Sequence, residues 1–80
     1  MSGAYPFLTC KEVKDILRAM GFAFRDQTGS HEQWIRDDSR GFFKVTVDCP
    51  KAPFSQILID SMARQAGVTK KQFYAARNKR

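Results

Sequence analysis

Val13, Ile16, Leu17 and Met20 recur at i, i+3, i+4 and i+7, one apolar stripe along a helix. Thr9 followed by Glu12 is a capping box, and Gly21 is a C-terminal stop, so the pattern predicts a helix from about Cys10 to Met20. The period then changes to two. Phe22 and Phe24 alternate with smaller or polar residues up to Gln27, and Thr28-Gly29 marks a tight turn before a second strand, Ser30 to Arg36. After the polar turn Asp37-Asp38-Ser39-Arg40-Gly41, the stretch Phe42 to Asp48 sets Phe43, Val45 and Val47 against Phe42, Lys44 and Thr46. Pro50 and Pro53 bracket a rigid connection. Ser55 then caps a second helix running to about Ala66, with Leu58, Ile59, Met62, Ala63 and Ala66 on its apolar face and Gly67 at its end. Thr69 with Gln72 opens a short third helix carrying Phe73 and Tyr74, ahead of the basic tail Arg77, Lys79, Arg80.

This order predicts a single α+β domain over residues 1–80: a helix, a three-stranded antiparallel sheet, a helix, and a short C-terminal helix. Each longer helix has one apolar stripe and the sheet has one apolar face, so both helices pack on that face. The opposite face, with Lys44 and Thr46, stays open to solvent or a ligand. The layout is that of double-stranded-RNA-binding domains, which fixes an architecture and not an activity.

Charge narrows the partners. Fourteen Lys and Arg against eight Asp and Glu give a formal charge of +6, placing nucleic acid or an acidic protein first. No apolar run approaches the roughly 20 residues that span a bilayer, and Met1 to Leu8 lack a basic segment followed by an apolar one, so the expected location is the cytoplasm. Cys10 and Cys49 stand alone, outside any CxxC spacing, and read as reduced thiols. A zinc site from Cys10, Cys49, His31 and one acid lacks the close ligand pairs of structural zinc, so neither metal nor cofactor is expected.

The one histidine, His31, follows Gly29-Ser30 at the entrance to a strand. Imidazole titrates near neutral pH, and beside a glycine turn in a basic chain it suits acid/base work on an anionic substrate; a surface histidine without chemistry is the competing reading. Gly29 permits positive φ and a close phosphate approach, and Ser30 either contacts a phosphate or caps the turn. Strand alternation puts Trp34 on the face opposite His31, so it belongs to the core if His31 faces substrate; an exposed Trp34 on the open face would instead suggest base stacking. On the first helix Lys11, Lys14 and Arg18 share a flank suited to tracking phosphates, with Glu12, Asp15 and Ala19 on the other side.

The succession Leu8-Thr9-Cys10-Lys11-Glu12-Val13, Met20-Gly21-Phe22, Thr28-Gly29-Ser30-His31, Val45-Thr46-Val47 and Gln65-Ala66-Gly67-Val68 resembles the HicA family of bacterial toxins over nearly the whole chain. The resemblance implies a toxin that cleaves messenger RNA without metal, is monomeric when free, and forms a hetero-oligomer with a cognate HicB antitoxin. It also implies His31 as the catalytic histidine and Gly29 as the functional turn. Two departures stand out: many relatives carry further histidines where this chain has Glu32 and the segment Cys49-Pro50-Lys51. A single imidazole then needs helpers to stabilise a phosphorane, for which Lys44 and Lys51 are the candidates; Glu32 is weaker, because a carboxylate repels phosphate. The rival from another class is a non-catalytic RNA-binding module, which has no use for a titrating group at the turn. A third is an adaptor for an acidic protein.

Overall fold

A computed structural model describes residues 5–77. The elements follow in the order α1 (Cys10–Ala19), β1 (Ala23–Thr28), β2 (His31–Asp38), β3 (Gly41–Asp48), a 3₁₀ turn (Cys49–Lys51), α2 (Gln56–Gln65) and α3 (Lys70–Ala76). The strands form one antiparallel sheet in the order β1-β2-β3. The expected α+β layout is therefore present. Of the basic tail, Arg77 caps α3 and pairs with Glu12 at the start of α1, while Lys79 and Arg80 lie outside the described residues, as do Met1 to Ala4.

Both capping boxes form as the sequence predicts: Thr9 with Glu12 on α1, and Thr69 with Gln72 on α3. Each satisfies donors that a helix start leaves unpaired. Ser55 caps α2 through the Leu58 N–H. The α1 stripe Val13, Ile16 and Leu17 is buried, together with Ile59, Met62 and Ala63 of α2, Phe73 of α3, and Trp34, Val45 and Val47 of the sheet's inner face. Burial of this set is the main stabilising term, at roughly 1.5–3 kcal/mol for each large apolar side chain.

Four details differ from the sequence expectation. The turn between β2 and β3 contracts to Ser39-Arg40, because Asp38 pairs directly with Gly41 and both strands run to the end of the hairpin. Phe22 and Phe24, which alternate with smaller or polar residues, part company: Phe22 is buried, while Phe24 is half exposed and meets Trp34 edge-on, because β1 is an edge strand with nothing covering its own side. A bulge at Arg25 also resets its alternation. The last difference concerns sulfur. Cys10 and Cys49, read as separate reduced thiols, form a disulfide with Cα atoms 5.3 Å apart. They lie far apart in sequence, but the first turn of α1 packs where the chain leaves β3, a proximity that spacing alone does not reveal.

Gly67 ends α2 with φ +79°, and a Cβ there would come within 2.7 Å of the Phe43 ring. Only glycine serves both the left-handed cap and the close ring contact. The amino-terminal segment is tied down by Tyr74, whose ring stacks on Tyr5 and whose hydroxyl donates to the Pro6 carbonyl; burial raises the phenol pKa and favours this donating form.

Candidate active site on the outer face of the sheet

His31 is the first residue of β2, and Gly29-Ser30 is the two-residue turn that delivers it. Gly29 has φ +59° and Ser30 does not have positive φ, the pattern of a type II′ hairpin with glycine at its first central position. Nothing lies within 4 Å of where a Gly29 Cβ would stand, so the backbone conformation, and not crowding, calls for glycine. The Gln27 side-chain amide donates to the Gly29 carbonyl at 2.9 Å and holds the turn. Among the described residues, the Ser30 hydroxyl makes no hydrogen bond.

Alternation along β2 turns Glu32, Trp34 and Arg36 inward and leaves His31 outward, 55% exposed at its side chain. Trp34 is thus a core residue, as expected. Directly across the ladder from His31 stands Asp48, and the His31 Nε2 lies 3.4 Å from the Asp48 Oδ2. The carboxylate is mostly buried, and its Oδ1 has no hydrogen-bond partner among the described residues. Such a group gains from a cation held against it. His31 and Asp48 line a cleft of about 190 Å³ with Thr46, Lys51, Ser61 and Gln65. Gln65 also accepts the Thr46 backbone N–H at 3.0 Å, closing part of the free edge of β3.

Of the two helper lysines, Lys51 lines the cleft with His31. Lys44 lies further off: it is outward on β3 opposite Ile35, four residues before Asp48 and hence roughly 13 Å along the strand. Glu32 faces the other way. Its carboxylate takes an ion pair from Lys14 at 2.9 Å and a hydrogen bond from the Trp34 indole at 3.2 Å, and it lies 3.6 Å from Cys49 Sγ. Where the resemblance would place a second histidine, this chain therefore has a buried structural carboxylate.

The α1 cations divide differently from the helical projection. Asp15 sits between Lys11 and Arg18, at 2.8 Å and 3.1 Å respectively, and these cations hold its carboxyl below the usual range, hydrogen bonding from Lys11 first. The expected split into basic and acidic flanks is absent there, because positions 11, 15 and 18 fall on one stripe. Arg18 also lies over the Trp34 ring, and Lys14 turns toward the sheet to neutralise Glu32. Lys14→Met is expected to destabilise the fold by about 1–3 kcal/mol, less than the roughly 3–5 kcal/mol for breaking a fully buried pair, because Lys14 keeps some solvent contact. Urea unfolding measures this, and Lys14→Met with Glu32→Gln should recover most of the loss; no recovery in the double variant disproves the pairing.

Asp48 is the site residue that motif reading missed. Its signal was present in the sequence, since registering the hairpin with Asp38 opposite Gly41 places position 48 opposite His31. No cluster of three His, Cys, Asp or Glu suited to a metal occurs among the described residues, and no helix among them is long and apolar enough to cross a membrane. Comparison with curated proteins and with solved structures gives no match. The family model described as the HicA toxin of bacterial toxin–antitoxin systems matches residues 10–68, from the start of α1 through the glycine-ended α2, with the Gly29 turn and the His31–Asp48 pair inside the span; the chain belongs to the HicA toxin family.

Proposed function

We propose that this toxin is a metal-independent endoribonuclease that cleaves messenger RNA, with His31 as its general acid and base. The observation that carries the reading is the placement of the only imidazole, exposed, at the mouth of a cleft, and backed by the Asp48 carboxylate at 3.4 Å. Nε2 lies on the Asp48 side of the ring, and in the tautomer that carries its proton there, Nδ1 is the proton acceptor. It takes the proton from a ribose 2′-hydroxyl as O2′ bonds to phosphorus. The imidazolium formed is stabilised by Asp48, and its Nδ1–H then protonates O5′ as the P–O5′ bond breaks. Lys51 supplies positive charge to the phosphorane at the same cleft. The products are a 2′,3′-cyclic phosphate and a 5′-hydroxyl.

In this reading the protein acts in the cytoplasm and its partner is an antitoxin of the HicB type, which neutralises it by covering the outward face with His31. The test is incubation of purified toxin with a transcript in the presence of chelator. Cleavage to cyclic-phosphate ends is expected, with an all-deoxy strand of the same sequence left intact. Absence of cleavage, a requirement for added divalent metal, or cutting of the deoxy strand would each overturn the mechanism; binding without cutting would instead indicate an RNA-binding module.

A further inference from the structure

The outward face beyond the His31 cleft is more than bare sheet. Phe42, Lys44, Gln33, Thr28, Asp26 and Arg25 line one shallow depression there, and Phe42 is 55% exposed. Arg25 reaches this depression through the β1 bulge: pairing steps from Phe24 to Asp26, and the unpaired extra residue between them is free of the strict alternation that governs its neighbours. Neither Arg25 nor Lys44 has an ion-pair partner among the described residues, whereas Lys11, Lys14 and Arg18 all neutralise Asp15 or Glu32. Asp26 is the one carboxylate lining the depression, so two cations outweigh it.

We infer that this face is a platform for single-stranded RNA, on which Phe42 stacks a base while Arg25 and Lys44 hold phosphates of the strand entering the His31 cleft. An exposed aromatic ring flanked by uncommitted cations is the chemistry that grips unpaired nucleotides without regard to sequence. Gln33 of the depression accepts a hydrogen bond of 3.0 Å from the hydroxyl of Thr46, which lines the His31 cleft, so the surface continues from Phe42 to His31. The duplex-type track along α1 is the weaker route, because its cations are already paired and Lys14 is turned into the fold.

The inference rests on the RNA-cleaving reading, and the test separates the two. Binding of a fluorescent single-stranded RNA is measured by anisotropy across a salt series with His31→Ala toxin as the non-cleaving parent, and circular dichroism checks each variant's fold. Phe42→Ala should lower affinity roughly 10-fold. Arg25→Ala and Lys44→Ala should each flatten the salt slope by about 0.7. Lys11→Ala with Arg18→Ala should leave that slope in place. If instead the α1 pair flattens the slope while Phe42 and Lys44 variants bind like the parent, the strand runs along α1 and the platform is wrong, although cleavage by the native toxin would stand. If Phe42→Ala abolishes antitoxin capture and leaves RNA affinity unchanged, the face serves a protein. Native toxin that neither binds nor cuts RNA removes the nuclease reading and the platform together.

Discussion

Replacing His31 with alanine is expected to abolish toxicity while leaving the fold intact. The side chain is more than half exposed at a strand entrance, so its loss opens no cavity, and stability should change by less than about 1 kcal/mol. Removing the only imidazole takes away both proton transfers, whose combined worth is on the order of 10²–10⁴-fold in rate. Cells expressing the variant should grow, and transcript should survive incubation with it. Asp48→Asn is the companion measurement. It keeps the shape and loses the charge that stabilises the imidazolium, so cleavage should slow by about tenfold or more with RNA affinity retained. A folded His31→Ala protein that cuts at the native rate would reduce His31 to a turn residue; an unfolded one would make it structural.

Reducing the Cys10–Cys49 disulfide should have the largest effect on stability. The bridge spans 39 residues of sequence, and closing a loop of that length restricts the unfolded chain by about 3–4 kcal/mol in the chain-entropy account. For a domain of this size the loss corresponds to a fall in Tm of roughly 12–30 °C. Thermal melts with and without a thiol reductant measure it, with Cys10→Ser/Cys49→Ser as the permanently open form. Identical melting in reductant, together with two titratable thiols in the untreated protein, would show that the bridge does not form.

The helices and strands were legible because the residues that cap and terminate them act locally. Thr9, Ser55 and Thr69 begin helices from within one turn of their partners, and Gly29 sets its hairpin through its own φ. What escaped depends on contacts between distant segments. The disulfide, the Lys14–Glu32 pair and the exposure of Phe24 all require knowing how α1 lies across the sheet and which strand is its edge. Basic residues on α1 read as one open flank in projection, yet their charges are settled by Asp15 on the same helix and Glu32 on another element. The candidate site falls between these cases: the histidine and its glycine stand out as a local motif, while Asp48 emerges only when β2 and β3 are aligned.

That alignment is set at the other end of the hairpin. Ser39-Arg40 reverses the chain, and every rung down to His31 opposite Asp48 inherits its register from those two residues, roughly 23 Å away. One residue added to or lost from this turn would slide β3 by one position, bring Asp48 off its rung, and turn Val45 and Val47 toward solvent. The turn is thus open to exchange of side chains but closed to change in length. In evolutionary terms, the spacing between the histidine and its carboxylate is locked to a loop that neither of them touches.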